Sequence, residues 1–126
     1  MKKIINTDKS PAPIGPYNQA ILKDNMLFIS GQIGLEPISM KLNNNSIEDE
    51  TNQVMINLKH ILKEANMDFG NVVKTSIFLS DMDLFKKVND IYGKYILEGQ
   101  EPARETIAVK TLPMSVNVEI SMIAIL

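Results

Sequence analysis

Residues 116–125, at the end of the chain, constrain the fold more than any other segment, because their apolar side chains occupy both faces of a predicted strand. The even-numbered face carries Val116, Val118, Ile120, Met122 and Ala124, and the odd-numbered face adds Ile123 and Ile125. A chain of 126 residues has the size of one domain, whose helices can cover one face of a sheet. The other apolar face needs a partner, so we expect a homo-oligomer with sheet faces turned together and functional sites in clefts between subunits.

Two segments carry the apolar periodicity of an amphipathic helix. In residues 46–66 the apolar stripe consists of Ile47, Val54, Leu58, Ile61, Leu62 and Ala65. In residues 80–97 it consists of Leu84, Val88, Ile91, Tyr92 and Tyr95. Ser46 and Asp49 resemble a capping box at the start of the first helix. Ser80 or Asp81 can cap the second helix, and Gly99 and Pro102 are expected to end it.

Six segments are typical of strands, namely residues 2–7, 17–23, 26–33, 72–79, 106–109 and 116–125. Asp24 and Asn25 are a polar pair suited to a tight hairpin between the second and third strands. The elements therefore follow the order of three strands, a helix, a strand, a helix and two strands. This order predicts a single α+β domain over residues 1–126, with two helices packed on one face of a mixed six-stranded sheet.

Composition excludes several classes of function. Cysteine is absent, which excludes disulfides, thiol nucleophiles and thiolate metal sites. The one histidine, His60, lies near Lys59 and Lys63 on the polar side of the first helix, where a solvated surface position is expected. A net charge of −2 and 6% aromatic residues argue against nucleic acid as a partner. The apolar runs are too short for a bilayer and no signal-peptide core follows Met1, so we expect a cytoplasmic protein without metal or cofactor.

Arg104 stands out because every other basic side chain apart from His60 is lysine. Its planar guanidinium can grip a carboxylate or phosphate through two parallel hydrogen bonds, which lysine cannot. Glu119 places a carboxylate in an otherwise apolar strand, where an unpaired charge is costly. Two interpretations follow. Either the charges are structural, as an Arg104–Glu119 ion pair or a salt bridge at a subunit interface, or Arg104 binds an anion while Glu119 positions water.

Other polar residues are weaker candidates for a site. Ser30 and Gly31 can present a hydroxyl and backbone N–H groups to a small ligand, although a glycine at a strand end is also typical of a plain turn. Tyr17 follows the rigid Gly15-Pro16 pair and either donates its phenol to a pocket or packs in the core. Asn89, on the second helix, is either a site amide or a solvated one.

Taken together, these motifs and their order resemble the RidA (YjgF) family of reactive-intermediate deaminases over nearly the whole chain. The motifs that carry the resemblance are Ala12-Pro13-Ile14-Gly15-Pro16-Tyr17, Phe28-Ile29-Ser30-Gly31-Gln32-Ile33, Asn57-Leu58-Lys59, Val72-Val73-Lys74-Thr75, Pro102-Ala103-Arg104, Leu112-Pro113 and Val118-Glu119-Ile120. The segment around Arg104 and the segment around Glu119 are the most specific of these.

The resemblance implies a chorismate-mutase-like α+β fold that assembles as a homotrimer with three clefts between subunits. It also implies hydrolysis of 2-aminoacrylate or 2-aminocrotonate, through their imine tautomers, to 2-oxo acids and ammonia. On this resemblance Arg104 holds the substrate carboxylate and Glu119 orients the attacking water. The implied lining of the cleft is Tyr17, Ser30, Gly31, Phe85 and Asn89.

Two positions depart from the family pattern. Thr106 stands where many members have cysteine, and we retain it as a substrate-contact position. Glu105 stands where a small serine is common and, although expected on the opposite strand face, can compete for Arg104. The alternative function is a non-catalytic regulator that binds a 2-oxo acid or an amino acid in the same cleft. An endoribonuclease is disfavoured by the pI of about 5.4 and the single histidine.

Overall fold

A six-stranded mixed sheet forms one layer of the computed structural model, which describes residues 1–126. Its strands are β1 (Lys3–Ile5), β2 (Ala20–Lys23), β3 (Met26–Gln32), β4 (Val72–Leu79), β5 (Ala103–Ala108) and β6 (Val118–Ile125). Two helices, α1 (Ile47–Glu64) and α2 (Phe85–Gly93), form the second layer. The predicted α+β arrangement of two helices and a six-stranded mixed sheet is confirmed. Neither helix has the length and apolar character that crossing a membrane requires, and the cytoplasmic location remains a prediction.

The last strand lies in the middle of the sheet. The strand order is β1-β2-β3-β6-β4-β5, and every neighbouring pair is antiparallel except β4 with β5. The hairpin predicted at Asp24 and Asn25 joins β2 to β3, with Lys23 paired to Met26. Asp24 adopts a left-handed φ of 54°, which a short polar side chain tolerates. The central position gives β6 a paired strand on each side, but it does not by itself account for the apolar residues on its second face.

One face of β6 packs against the helices and forms the core. Its buried residues are Val118, Ile120, Met122 and Ala124. The helices contribute Val54, Leu58, Ile61, Leu62, Ala65, Val88 and Tyr92 to the same cluster. Ser46 caps α1 by accepting a 3.0 Å hydrogen bond from the Asp49 backbone N–H, which is the Ser46 half of the predicted capping box.

The opposite face of the sheet has no helix over it. On β6 this face carries the half-buried residues Glu119, Ser121, Ile123 and Ile125. Phe28 of β3 is 43% exposed. A shallow cavity of about 300 Å³ on this face is lined by Ile21, Phe28, Ser30, Lys74, Ser76, Ser121 and Ile123, among others. The uncovered, partly apolar face expected from the sequence is therefore present, and its partner remains a prediction.

The second helix is shorter than the sequence predicts. Asp81 caps a single 3-10 turn, Met82–Leu84, by accepting a 2.8 Å hydrogen bond from the Asp83 N–H, and α2 begins only after it. The helix ends at Gly93 instead of near residue 97. Beyond Gly93 the backbone N–H groups of Tyr95 and Ile96 bond three residues back, so the chain tightens out of the α-helix before Gly99 and Pro102 are reached.

Three strands begin two or three residues away from the predicted start, and β1 is shorter than predicted at both ends. β2 begins at residue 20 instead of 17, because the buried Gln19 side chain bonds the loop carbonyls of Thr7, Ser10 and Pro11. β5 begins at residue 103 instead of 106, because its first residues pair in parallel with β4. β6 begins at residue 118 instead of 116, because the segment Pro113–Ser115 forms a 3-10 turn.

Candidate active site

Arg104 lies near the start of β5, on the sheet face that the helices cover. Its register partner on β4 is Thr75, which is fully buried and accepts a 3.1 Å hydrogen bond from the Tyr92 hydroxyl of α2. The Arg104 Nη1 donates a 2.7 Å hydrogen bond to Asn89 Oδ1. Its guanidinium carbon lies 5.2 Å from the centre of the Tyr92 ring and 5.8 Å from that of Phe85, which are cation–π distances. Helix α2 therefore holds Arg104 in place without neutralising it.

These residues, with Thr106 farther along the same strand face, form the Arg104 cluster: Arg104, Asn89, Phe85, Tyr92 and Thr106. None of the three ion pairs in the structure includes Arg104; they are Lys23–Asp24, Lys74–Glu105 and Lys86–Asp90. A cavity of about 420 Å³ opens beside the guanidinium. The Thr106 hydroxyl is buried and has no hydrogen-bond partner within the chain. The cluster therefore offers unpaired donors, including those of a fixed guanidinium, that can bind an anion.

Glu119 lies on the uncovered face of β6, against the end of β3. The pairing of β3 with β6 is irregular between Ile29 and Gln32, so Gly31 falls at a bulge. A methyl group added at Gly31 would lie 2.8 Å from the Glu119 carboxyl carbon and closer still to Oε1. Glycine is thus the only residue type at position 31 that leaves room for this carboxylate. The bulge brings Gly31 and Glu119, both predicted as site residues, into contact.

Ser30 directly precedes Gly31 and contacts the loop that contains Tyr17. The Ser30 hydroxyl donates a 2.6 Å hydrogen bond to the backbone carbonyl of Asn18, which ties the Tyr17 loop to β3. The Tyr17 side chain is 48% exposed, and its hydroxyl accepts a 3.1 Å hydrogen bond from the Ile14 N–H. The alternative that Tyr17 is a core residue is therefore wrong. Glu119, Gly31, Ser30 and Tyr17 form the Glu119 cluster.

Within one chain the two clusters lie on opposite faces of the sheet. Arg104 is in register with the helix-facing Thr75, whereas Glu119 pairs with Phe78, which points to the uncovered side. An ion pair between Arg104 and Glu119 of the same chain is therefore wrong, whereas the alternative of a salt bridge across a subunit interface stays a prediction. The concern that Glu105 competes for Arg104 is also removed, because Glu105 points to the uncovered face and binds Lys74 Nζ at 2.7 Å. Ser76 donates a hydrogen bond to the same carboxylate.

The electrostatics of the two clusters differ. Burial raises the pKa of the Glu119 carboxyl above its usual value. Burial also raises the pKa of Tyr92, while the hydrogen bond to Thr75 and the charge of Arg104 act in the opposite direction. Glu119 is thus the carboxyl group of the site whose environment favours the protonated form, as suits a residue that takes up and returns a proton.

No group of three histidine, aspartate or glutamate side chains in the chain is arranged to hold a metal ion. His60 is half-buried and not simply solvated, since its ring Nδ1 is enclosed without a hydrogen-bond partner. Its pKa is lowered, first by this burial and then by Lys9, Lys59 and Lys63. His60 lies on α1, away from both clusters, and takes no part in the site.

Sequence reasoning missed two residues that the structure connects to the site. Tyr92 was assigned only to the core, yet its ring lies under Arg104; the spacing of Phe85, Asn89 and Tyr92 places all three on one helix face and was a usable signal. Glu50 is fully buried, and its position four residues before Val54 already put it on the apolar stripe of α1.

Comparison with known proteins identifies the family. The sequence profile described as endoribonuclease L-PSP matches residues 7–126. The 2-iminobutanoate/2-iminopropanoate deaminase of Mus musculus is 46% identical over 125 residues, which cover 99% of this chain and 92% of the mouse protein. Reactive Intermediate Deaminase A, chloroplastic, of Arabidopsis thaliana is also 46% identical, over 99% of this chain and 66% of the plant protein. The chain belongs to the RidA (YjgF) family.

A solved structure supports the same RidA assignment. A Rid-family protein of Yersinia pestis, YyfA, is 40% identical and superposes with a TM-score of 0.96 over the full length of both chains. The family carries two kinds of name, deaminase and endoribonuclease. The choice of chemistry for this RidA member therefore rests on its own site.

Proposed function

We propose that this chain is a hydrolytic deaminase of small 2-imino acids, in which Arg104 binds the substrate carboxylate and Glu119 orients the attacking water. The observation that carries the proposal is the Arg104 guanidinium, fixed by Asn89 and two aromatic rings and without a carboxylate partner of its own. A small 2-imino acid presents one planar carboxylate, which a guanidinium fork matches. The deaminase names of the mouse and Arabidopsis relatives support the same chemistry.

The chemistry requires little beyond positioning, because a protonated imine is already a strong electrophile. As the oxygen of the attacking water bonds to the imine carbon, Glu119 takes a proton from it and returns that proton to the amino nitrogen of the carbinolamine. The C–N bond then breaks, the hydroxyl oxygen becomes the carbonyl oxygen of the 2-oxo acid, and the hydroxyl proton leaves with ammonia as ammonium. A carboxyl group whose pKa is raised by burial serves both transfers better than a fully solvated one.

The assembly follows from the opposite placement of the two clusters. A single chain cannot present Arg104 and Glu119 to one small substrate across its own sheet, so the site needs the Arg104 cluster of one copy and the Glu119 cluster of another. We infer a homotrimer with three such clefts, the assembly that the family resemblance implies. The half-exposed apolar side chains of the uncovered face, such as Phe28 and Ile123, support burial against a second copy.

The proposal is tested by pyruvate release from 2-aminoacrylate, generated in place by a serine-degrading pyridoxal-phosphate enzyme. Wild type is expected to accelerate release, and Arg104→Ala and Glu119→Gln are each expected to lose the acceleration. The two inactive variants are then unfolded, mixed in equal amounts and refolded together. Because each cleft draws on two subunits, about a quarter of the clefts in the mixed trimers receive both intact residues, so about a quarter of wild-type activity should return.

Each alternative gives a different result. Acceleration by wild type without recovery in the mixture would place both residues within one subunit and contradict the shared cleft. Binding of 2-oxobutanoate without any acceleration would favour the regulator. Cleavage of RNA that survives Arg104→Ala would favour the endoribonuclease named by the family profile.

A further inference from the structure

Helix α1 carries a row of buried polar residues beside its apolar stripe. Glu50, Thr51, Gln53 and Asn57 are all buried, and Glu50 is only 1% exposed. Asn57 donates hydrogen bonds to the backbone carbonyls of Ile33 and Leu35, just after β3. A buried carboxylate is costly unless it is paired or fully hydrogen-bonded, so the partners of Glu50 indicate what it does.

The Glu50 carboxylate accepts three hydrogen bonds from the start of β6. Its Oε2 accepts from the backbone N–H groups of Asn117 at 2.8 Å and Val118 at 3.3 Å. Its Oε1 accepts from the Asn117 side-chain amide at 2.9 Å. Asn117 and Val118 are the two residues immediately before Glu119. An ionised acceptor holds these donors more strongly than a neutral one would.

On its other side Glu50 contacts the segment that follows β3. A methyl group at Gly34 would lie 2.9 Å from Glu50 Cγ and 3.1 Å from its backbone oxygen, so only glycine allows this approach. Glu50 thus lies between the end of β3 and the start of β6. These are the two strands whose bulge brings Gly31 against Glu119.

We propose that Glu50 is a positioning residue for Glu119: it anchors the start of β6 from α1 and thereby sets where the Glu119 carboxylate stands over Gly31. The expected effect of Glu50 on kcat rests on the proposed deaminase function. A shift of about 1 Å in a catalytic group costs up to about a hundred-fold in rate. Arg104 is on the other face of the sheet, so the loss should appear in turnover and not in carboxylate binding.

Two variants of Glu50 distinguish the effect of its side-chain length from the effect of its charge. Glu50→Asp keeps the charge and shortens the side chain by one methylene, so it cannot make all three bonds; kcat should fall about ten-fold, with the Kd for 2-oxobutanoate unchanged. Glu50→Gln loses the charge but keeps the length and an acceptor for the two backbone N–H groups. Its amide can donate to Asn117 Oδ1 after that side chain rotates, so kcat should stay within about three-fold of wild type.

Asn71→Ala is the matched control for stability. Asn71 donates a 3.1 Å hydrogen bond to the Ile125 carbonyl, at the opposite end of β6. Asn71→Ala should lower the melting temperature with kcat unchanged, because it removes this partly buried hydrogen bond and the 2.9 Å bond that Asn71 Oδ1 accepts from the Asp68 N–H. Asn117→Ala deletes one of the three bonds and should lower kcat about three-fold, and it replaces Glu50→Asp if that variant does not fold. Equal losses of kcat in Glu50→Asp and Asn71→Ala at equal melting temperature would overturn the proposal.

A second readout does not depend on deaminase activity. The titration of the Glu119 carboxyl is followed by NMR of the labelled side chain in wild type and in Glu50→Asp, which carry the same charge at residue 50. If Glu50 sets the Glu119 position, the raised pKa of Glu119 should move toward its usual value as water reaches the carboxyl. An unchanged Glu119 pKa would contradict the proposal. A wild type without imine hydrolysis would refute the proposed function but leave this test intact.

Discussion

The Arg104 cluster and the Glu119 cluster prepare their charged groups in opposite ways. Arg104 is exposed on an edge strand and is oriented by Asn89 and two aromatic rings, with no change in its charge state required. Glu119 is half-buried in a central strand, and burial raises its pKa. A guanidinium stays charged at any physiological pH, so it needs only orientation, whereas a carboxyl that exchanges protons must be tuned by its surroundings. The difference predicts different sensitivities to mutation and pH.

The largest effect is expected at Arg104. Arg104→Ala should lower kcat/KM for 2-aminoacrylate about a thousand-fold, because the carboxylate loses a charge-assisted, bidentate partner. Arg104→Lys should have a kcat/KM about ten-fold higher than that of Arg104→Ala, because it restores the charge without the planar guanidinium. Pyruvate release under coupled generation of the substrate measures both. Lys86→Ala, which removes a solvent-exposed cation from α2, is the matched control and should leave kcat/KM unchanged. A Lys86 variant as impaired as Arg104→Ala would show that general charge, and not the clamp, matters.

An intermediate effect is expected at Gly31. Gly31→Ala places a methyl group where the Glu119 carboxylate stands, so the carboxylate must move and kcat should fall about ten- to a hundred-fold. Gly93→Ala is the comparison, because a methyl group there meets nothing within 4 Å. It should keep kcat and, because Gly93 is the last residue of α2, raise stability by less than the roughly 0.5–1 kcal/mol that the same exchange gives in the middle of a helix. Full activity in Gly31→Ala would mean that the position of the Glu119 carboxylate does not limit turnover.

The smallest effect is expected for the stability of Glu119→Gln, which should increase although the activity is lost. The pKa of Glu119 is raised in the folded chain, so its contribution to stability is present below its usual pKa and is lost as pH rises through the folded value. Glu119→Gln should therefore raise the free energy of unfolding at pH 7, by less than about 1 kcal/mol because the group is half in water, and should not raise it at pH 4. Thermal unfolding at the two pH values measures this.

Glu105, on the same face of the sheet as Glu119, has a pKa shifted in the opposite direction. Hydrogen bonds from Lys74 and Ser76 lower its pKa, so its contribution is present above its usual pKa and is lost as pH falls through the folded value. Glu105→Gln should lower the melting temperature at pH 7 and not raise it. A rise in melting temperature for both variants would mean that simple loss of negative charge, and not local environment, governs stability.

Local patterns predicted the elements better than their ends. The apolar stripe of α1 and its Ser46 cap appear as expected because both depend on residues within two turns of each other. The end of α2 at Gly93 was not predicted, because the apolar stripe continues to Tyr95 while the chain leaves the helix through 3-10 bonds before it reaches Gly99. The start of β5 depends on its pairing with β4. The spacing of residues within β5 does not predict this pairing.

The sequence by itself determined the α+β order of elements, the last strand with apolar residues on both faces, and the identity of Arg104 and Glu119 as the unusual charges. Strand alternation also shows that Arg104 and Glu105 point to opposite sides. Only the tertiary structure decided which side the helices cover, and so placed Arg104 and Glu119 on different faces of the sheet. The tertiary structure also decided that Gly31 makes room for the Glu119 carboxylate and that Glu50 hydrogen-bonds the start of β6, just before Glu119. Those contacts join residues tens of positions apart, and their geometry comes from strand pairing and a bulge that no local periodicity encodes.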